Sequence, residues 1–143
     1  MALMFDVKLA LYEELKRSTP AGVQCTFAQT GAADRRSQMW FGETTTDESE
    51  PVGMRAGAAK PLSVTGAMDV QGVVISPGGP LDAERAAYRL RDCVTVACLA
   101  LDRRSVPGLI DVRPESVSVE TAETTDGAYS ALSVRVRVRG RVT

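Results

Sequence analysis

The strict alternation of residues 129–139 constrains this chain more than any other feature. Leu132, Val134, Val136 and Val138 point one way, and Ser133, Arg135, Arg137 and Arg139 point the other. Such a strand has one dry face and one wet face, the habit of antiparallel sheets covered on one side. Asp126-Gly127 just before it is a hairpin signal, and Val117 and Val119 continue the sheet across that turn. Leu109-Ile110-Asp111-Val112 opens the same third of the chain. At Pro114 the apolar parity switches, which predicts a bend or a new strand.

Upstream, two helices stand out. Met4, Val7, Leu11 and Leu15 recur at helical spacing over residues 3–17, with Ala10 filling the stripe. Asp6 near the start and Lys16-Arg17 at the end suit the macrodipole, and Glu13 stands four residues before Arg17. Ser18 to Gly22 stops this helix. Leu9 and Tyr12 fall beside the stripe, where they either widen the core face or meet a second surface. The second helix is announced by Gly79 as N-cap, Pro80 at the first helical position, and Asp82 and Glu84 in the first turn. Ala83, Ala86, Ala87, Leu90, Cys93, Val94, Ala97 and Leu101 form its apolar stripe, and their small side chains imply close packing on a sheet. Asp102-Arg103-Arg104 and then Pro107-Gly108 end it.

Between the helices the chain reads as extended. Val23, Cys25 and Phe27 alternate with polar neighbours over residues 23–29, and residues 38–43 give a second short strand. That strand holds Trp40, the sole tryptophan, which is expected to pack in the core or at a sheet edge. Residues 44–60 lack periodicity and predict a long mobile loop, acidic in its first half through Asp47, Glu48 and Glu50. Residues 61–75 carry Leu62, Val64, Met68, Val70 and Val74 on one parity. Gly66 and Gly72 share that parity and suggest bulges or close backbone approach. The order of helix, strands, helix, strands gives an α+β fold. It is a single domain over residues 1–143, with two main helices packed on a mostly antiparallel sheet.

Composition then narrows the function. A chain of 143 residues can bury a real core without staples. Its formal net charge of -1 argues against direct nucleic-acid recognition, which rests on a basic excess. Histidine is absent, which removes the commonest metal ligand and general base. Cys25, Cys93 and Cys98 have no tight spacing and read as small buried residues in a reducing compartment. Neither a signal peptide nor a membrane span is expected from the apolar runs present. No P-loop, dinucleotide fingerprint, CxxC or HExxH occurs. Pro77-Gly78-Gly79-Pro80 precedes a helix, but two prolines remove donors and Asp82 and Glu84 would repel phosphate, so it reads as a turn. Glu115, Glu120, Glu123 and Asp126 cluster around a hairpin without an accompanying nucleophile. No catalytic residue, cofactor or metal is expected, and the chain is not expected to be an enzyme.

The arginine row is the most unusual feature. Arg135, Arg137 and Arg139 lie about 7 Å apart on one strand face, and Arg141 extends the row. Like charges repel, so the row implies acidic partners. One reading is a solvated face paired with local acids such as Glu120 across the hairpin. The other is an interface with a second subunit, where arginine can fork onto carboxylates such as Glu43, Asp47, Glu48 and Glu50 of a neighbour.

The layout resembles the tail terminator (minor tail, tail-completion) proteins of long-tailed bacteriophages. The features that carry the resemblance are the helix Val7-Lys8-Leu9-Ala10-Leu11-Tyr12-Glu13-Glu14-Leu15, the extended segment Leu62 to Ile75, the Asp-Ala-Glu-Arg-Ala of residues 82–86, the Val-Pro-Gly-Leu of 106–109 and the closing Val/Arg strand. The resemblance implies a virion protein without a cofactor. It would form a ring, a hexamer by family habit, that caps the tail tube and stops its polymerisation. It would meet tail tube protein on one side and head-completion or connector proteins on the other, after assembly in the host cytoplasm. A neck or head–tail connector component is the adjacent reading. A third is a small oligomeric enzyme with an inter-subunit site near Glu120, Glu123 and Tyr129.

Overall fold

Two helices cover one face of a five-stranded sheet among the residues described by the computed structural model, which are 3–29, 37–52, 61–125 and 127–142. In chain order the elements are α1 (Leu3–Ser18), β1 (Val23–Ala28), β2 (Ser37–Pro51), β3 (Leu62–Ser76), α2 (Pro80–Ala100), β4 (Leu109–Thr124) and β5 (Gly127–Val142). The sheet order is β1-β2-β3-β5-β4; β1 runs parallel to β2, and every other pairing is antiparallel. The α+β architecture read from the sequence is therefore the one the chain adopts.

The helix-facing side is dry because the apolar periods agree. α1 buries Leu3, Met4, Val7, Leu11 and Leu15, and α2 buries Ala83, Ala87, Leu90, Val94, Ala97 and Cys98. They meet Met68, Val70 and Val74 of β3 and Leu132, Val134, Val136 and Val138 of β5 in one cluster. Each fully buried side chain of this size contributes roughly 1.5–3 kcal/mol. Tyr12 joins this cluster, edge-on to Phe27 at 5.6 Å and to Phe41 at 6.4 Å, whereas Leu9 is exposed. Arg17 pairs with Glu14 at 3.0 Å and Lys16 with Glu13 at 3.3 Å, so the helix uses three-residue spacing rather than the Glu13–Arg17 pair.

The start of α2 follows its sequence signals. Gly79 takes a φ of 103°, a conformation open to glycine, and Pro80 begins the helix. At the other end the Leu101 N–H reaches Ala97 O, and the Asp102 side chain accepts from the Arg104 N–H at 2.9 Å to cap a short 3₁₀ turn.

Two expectations change. Residues 44–51, expected in a mobile loop, are the second half of β2, in register with β3 from Thr45↔Met68 to Pro51↔Leu62. Every residue from Glu43 to Pro51 is exposed, so the strand has no dry side to print a period on the sequence. It forms because β3 offers a backbone ladder of matching length. The remainder of the expected loop, 53–60, lies outside the described residues. Of the two readings of the parity switch at Pro114, a bend or a new strand, the new strand is not found, and the bend is a bulge. β4 is continuous, with a bulge between Pro114 and Ser116. Proline is tolerated there because β4 is an edge strand.

Gly66 and Gly72 sit on the dry face of β3 without bulges of their own. A Cβ at Gly66 would come within 2.6 Å of Met4 Sδ and 2.5 Å of the Thr46 carbonyl oxygen. The glycine lets α1 and the second half of β2 close on the same point. Trp40 is buried on the opposite side of β2, in register with Gln71.

Candidate interface on the open sheet face

The face turned away from the helices carries the charge. β5 projects Arg135, Arg137, Arg139 and Arg141 onto it, as the alternation requires, and all four are exposed. Register places Asp69 opposite Arg135, Ala67 opposite Arg137, Thr65 opposite Arg139 and Ser63 opposite Arg141 on β3. One strand further out, Thr46 lies beside Ala67, Glu48 beside Thr65 and Glu50 beside Ser63. The result is three stripes: acidic on β2, small and polar on β3, basic on β5. Between them runs an open trough of about 710 Å³, with Thr65 and Ala67 on its floor, Glu48 on one wall and Arg135 and Arg137 on the other.

The three acids singled out in the sequence do not act as a set. Glu48 and Glu50 face the open side. Asp47 sits opposite Gly66 and points to the helix side, where it lines a hollow of about 340 Å³ with Leu3, Met4 and Phe5.

The four arginines also divide. Glu115, the bulged residue of β4, pairs with Arg137 at 2.8 Å and with Arg135 at 3.6 Å. The local acid expected for this role, Glu120, sits opposite Ala131 instead. The bulge is what aims Glu115 between two arginines, and the sequence signal for it was the parity switch at Pro114. Asp111 is shared by Arg103 and Arg113, each at 3.7 Å. Arg139 and Arg141 enter no ion pair among the described residues.

Along almost its whole length, this fold recurs in a solved structure. One match is to a chain of the structure described as the virion of native gene transfer agent (GTA) particle, with a TM-score of 0.54 and 14% identity. It covers 99% of this chain and 98% of that one. At this identity the likeness is one of fold. No family model and no curated protein matches the chain.

The remaining sequence candidates are dispersed. Glu120 and Tyr129 share the open face, while Glu123, opposite Ala128, points to the other. All three are exposed. Cys98 is buried, and burial followed by the nearby Asp111 charge pushes its thiol up to about 12. Cys25 and Cys93 are half-buried, and burial raises both. A raised thiol pKa lowers the thiolate fraction, which suits packing rather than nucleophilic chemistry. Among the described residues no group of three or more cysteines and carboxylates is arranged to hold a metal ion. Among the described residues no helix is long and apolar enough to cross a membrane.

Proposed function

We propose that this protein is a structural component of a phage-like particle, and specifically a tail terminator. In this role it forms a ring on the last layer of the tail tube, stops tube polymerisation and presents a surface for head joining. The observation that carries the reading is the extent of the fold match: two chains agree from end to end, and one of them belongs to an assembled virion. The resemblance of the sequence to tail terminators supplies the specific role within that particle. The charge-divided open face supports it, since a molecule with separate acidic and basic stripes is suited to contacts with copies of itself.

On this reading the protein works by shape and contact, without a catalytic step or cofactor. Its partners are further copies of the chain (six in a closed ring), the tail tube protein, and a head-completion or connector protein. Its place is the head–tail junction of the virion.

The test is the solution mass by light scattering, negative-stain imaging of the same peak, and addition of the protein to polymerising tail tube protein. A ring is expected, together with tubes of arrested length. A stable monomer that neither assembles nor binds tube protein overturns the reading. A ring that captures head-side proteins and leaves tube growth unchanged assigns the chain to the neck instead.

A further inference from the structure

The second half of β2 and the far end of β5 carry charges that find no ion-pair partner among the described residues. Glu43, Asp47, Glu48 and Glu50 are exposed and enter no ion pair among the described residues, and the same holds for Arg139 and Arg141. Glu115 pairs with Arg135 and Arg137, while Asp111, which stands opposite Arg139 in register, turns its carboxylate to Arg103 and Arg113. The β2 half also has a free backbone edge. β1 pairs with β2 only as far as Phe41, so beyond it the outer edge of β2 has no ladder partner among the described residues. Exposed edges are commonly blunted by bulges, proline or lysine. The opposite edge, β4, has two bulges and Pro114. Thr45–Glu50 runs in regular register with β3 between a bulge at Phe41–Thr45 and Pro51, and its edge is guarded by charge, with Asp47, Glu48 and Glu50 along it.

We infer that Thr45–Glu50 of one copy docks through its open-face carboxylates, not its backbone edge, on the Arg139–Arg141 end of β5 in a second copy of this chain, since β5 is paired on both edges. The inference rests on the ring reading above and names the surface through which the ring closes. The two patches differ, so the contact is head-to-tail and repeats from copy to copy, closing into a ring when the rotation allows. Glu48 and Glu50 supply carboxylates at the two-residue spacing that Arg139 and Arg141 repeat on their own strand. Arginine's planar fork fits such carboxylates. The pairs cannot form within one chain without reaching across β3. Glu48 and Arg139 both lie opposite Thr65, two strand spacings or about 9.6 Å apart.

That separation supplies the test. A disulfide spans Cα atoms roughly 4.4–6.8 Å apart, so thiols introduced at 48 and 139 can join only between copies. Chains carrying Glu48→Cys, mixed with chains carrying Arg139→Cys and oxidised, are expected to give a cross-linked dimer that neither gives alone. In parallel, Glu48→Arg with Glu50→Arg, and separately Arg139→Glu with Arg141→Glu, are expected to weaken association about tenfold or more. The four changes combined in one chain are expected to restore it. Association of the reversed variants at unchanged strength, while the unaltered protein assembles, overturns the docking and leaves the ring standing. Failure of the combined variant to associate also overturns the docking. A protein that stays monomeric, alone and with tail tube protein, overturns the ring and the docking together.

Discussion

β5 and the second half of β2 are both long, regular strands of one sheet, yet different forces hold them. In β5 every second residue from Ala128 to Gly140 is buried under the helices, and both edges are paired, to β3 and to β4. In β2 beyond Gly42 no residue is buried, and among the described residues only one edge is paired. Strand geometry alone is therefore not a measure of local stability. A ladder of backbone bonds sets the shape, while the removal of apolar surface from water supplies most of the free energy.

The sharpest way to break that comparison is to remove a side chain from each strand. Leu132→Ala on the dry face of β5 is expected to destabilise the fold by about 2–5 kcal/mol, read from chemical denaturation. Thr46→Ala in β2 is expected to change it by no more than about 0.5 kcal/mol. Amide exchange is expected to follow the same order, slowest in β5 and fastest in 45–51. Equal losses from the two substitutions would show that β2 contributes packing that its exposure conceals.

The same contrast decides what could be read from the sequence. The side-chain period of β5 is legible because one side is buried, and so are the stripes of α1 and α2 and the Gly79-Pro80 start. The second half of β2 is illegible because its conformation is dictated by pairing with the following strand, β3, rather than by burial of one side; Thr44-Thr45-Thr46 carries a β preference but no alternation in burial. The bulge in β4 left a visible mark, the parity switch at Pro114, but a bulge and a strand break leave the same mark on a linear pattern. On the open face the arginine row was legible as a row. Its division into Arg135 and Arg137, held by Glu115, and Arg139 and Arg141, without an ion pair among the described residues, was not, because it depends on where that bulge aims one carboxylate.

A smaller effect tests how β2 is anchored. Gly66 is the point where β3 lets Met4 of α1 and the Thr46 backbone approach together. Gly66→Ala inserts a methyl into that contact and is expected to cost about 1–3 kcal/mol, the range of overpacked cores. Exchange protection in 45–51 is expected to fall before protection in 132–138. The backbone carbonyl in the contact belongs to the second half of β2, which among the described residues has this one ladder to hold it, whereas β5 has two. A uniform loss across both strands would mean that the second half of β2 unfolds only with the whole sheet, and the division drawn between the strands would fail.

The smallest expected effect concerns the polar side of β5 itself. Glu115 and Arg137 are both partly exposed, with 38% and 44% of their side-chain surface open to solvent, so their attraction is screened. Glu115→Ala leaves Arg135 and Arg137 as neighbouring cations without a counterion, yet the loss is expected to stay at about 1 kcal/mol or less. Raising the salt should shrink the gap between the variant and the unaltered protein, because roughly 1 M salt shortens the screening length to about 3 Å, comparable to the pair's own separation. If instead the loss exceeded about 2 kcal/mol and persisted in salt, β5 would be held from both faces, and its stability could not be assigned to the dry side alone.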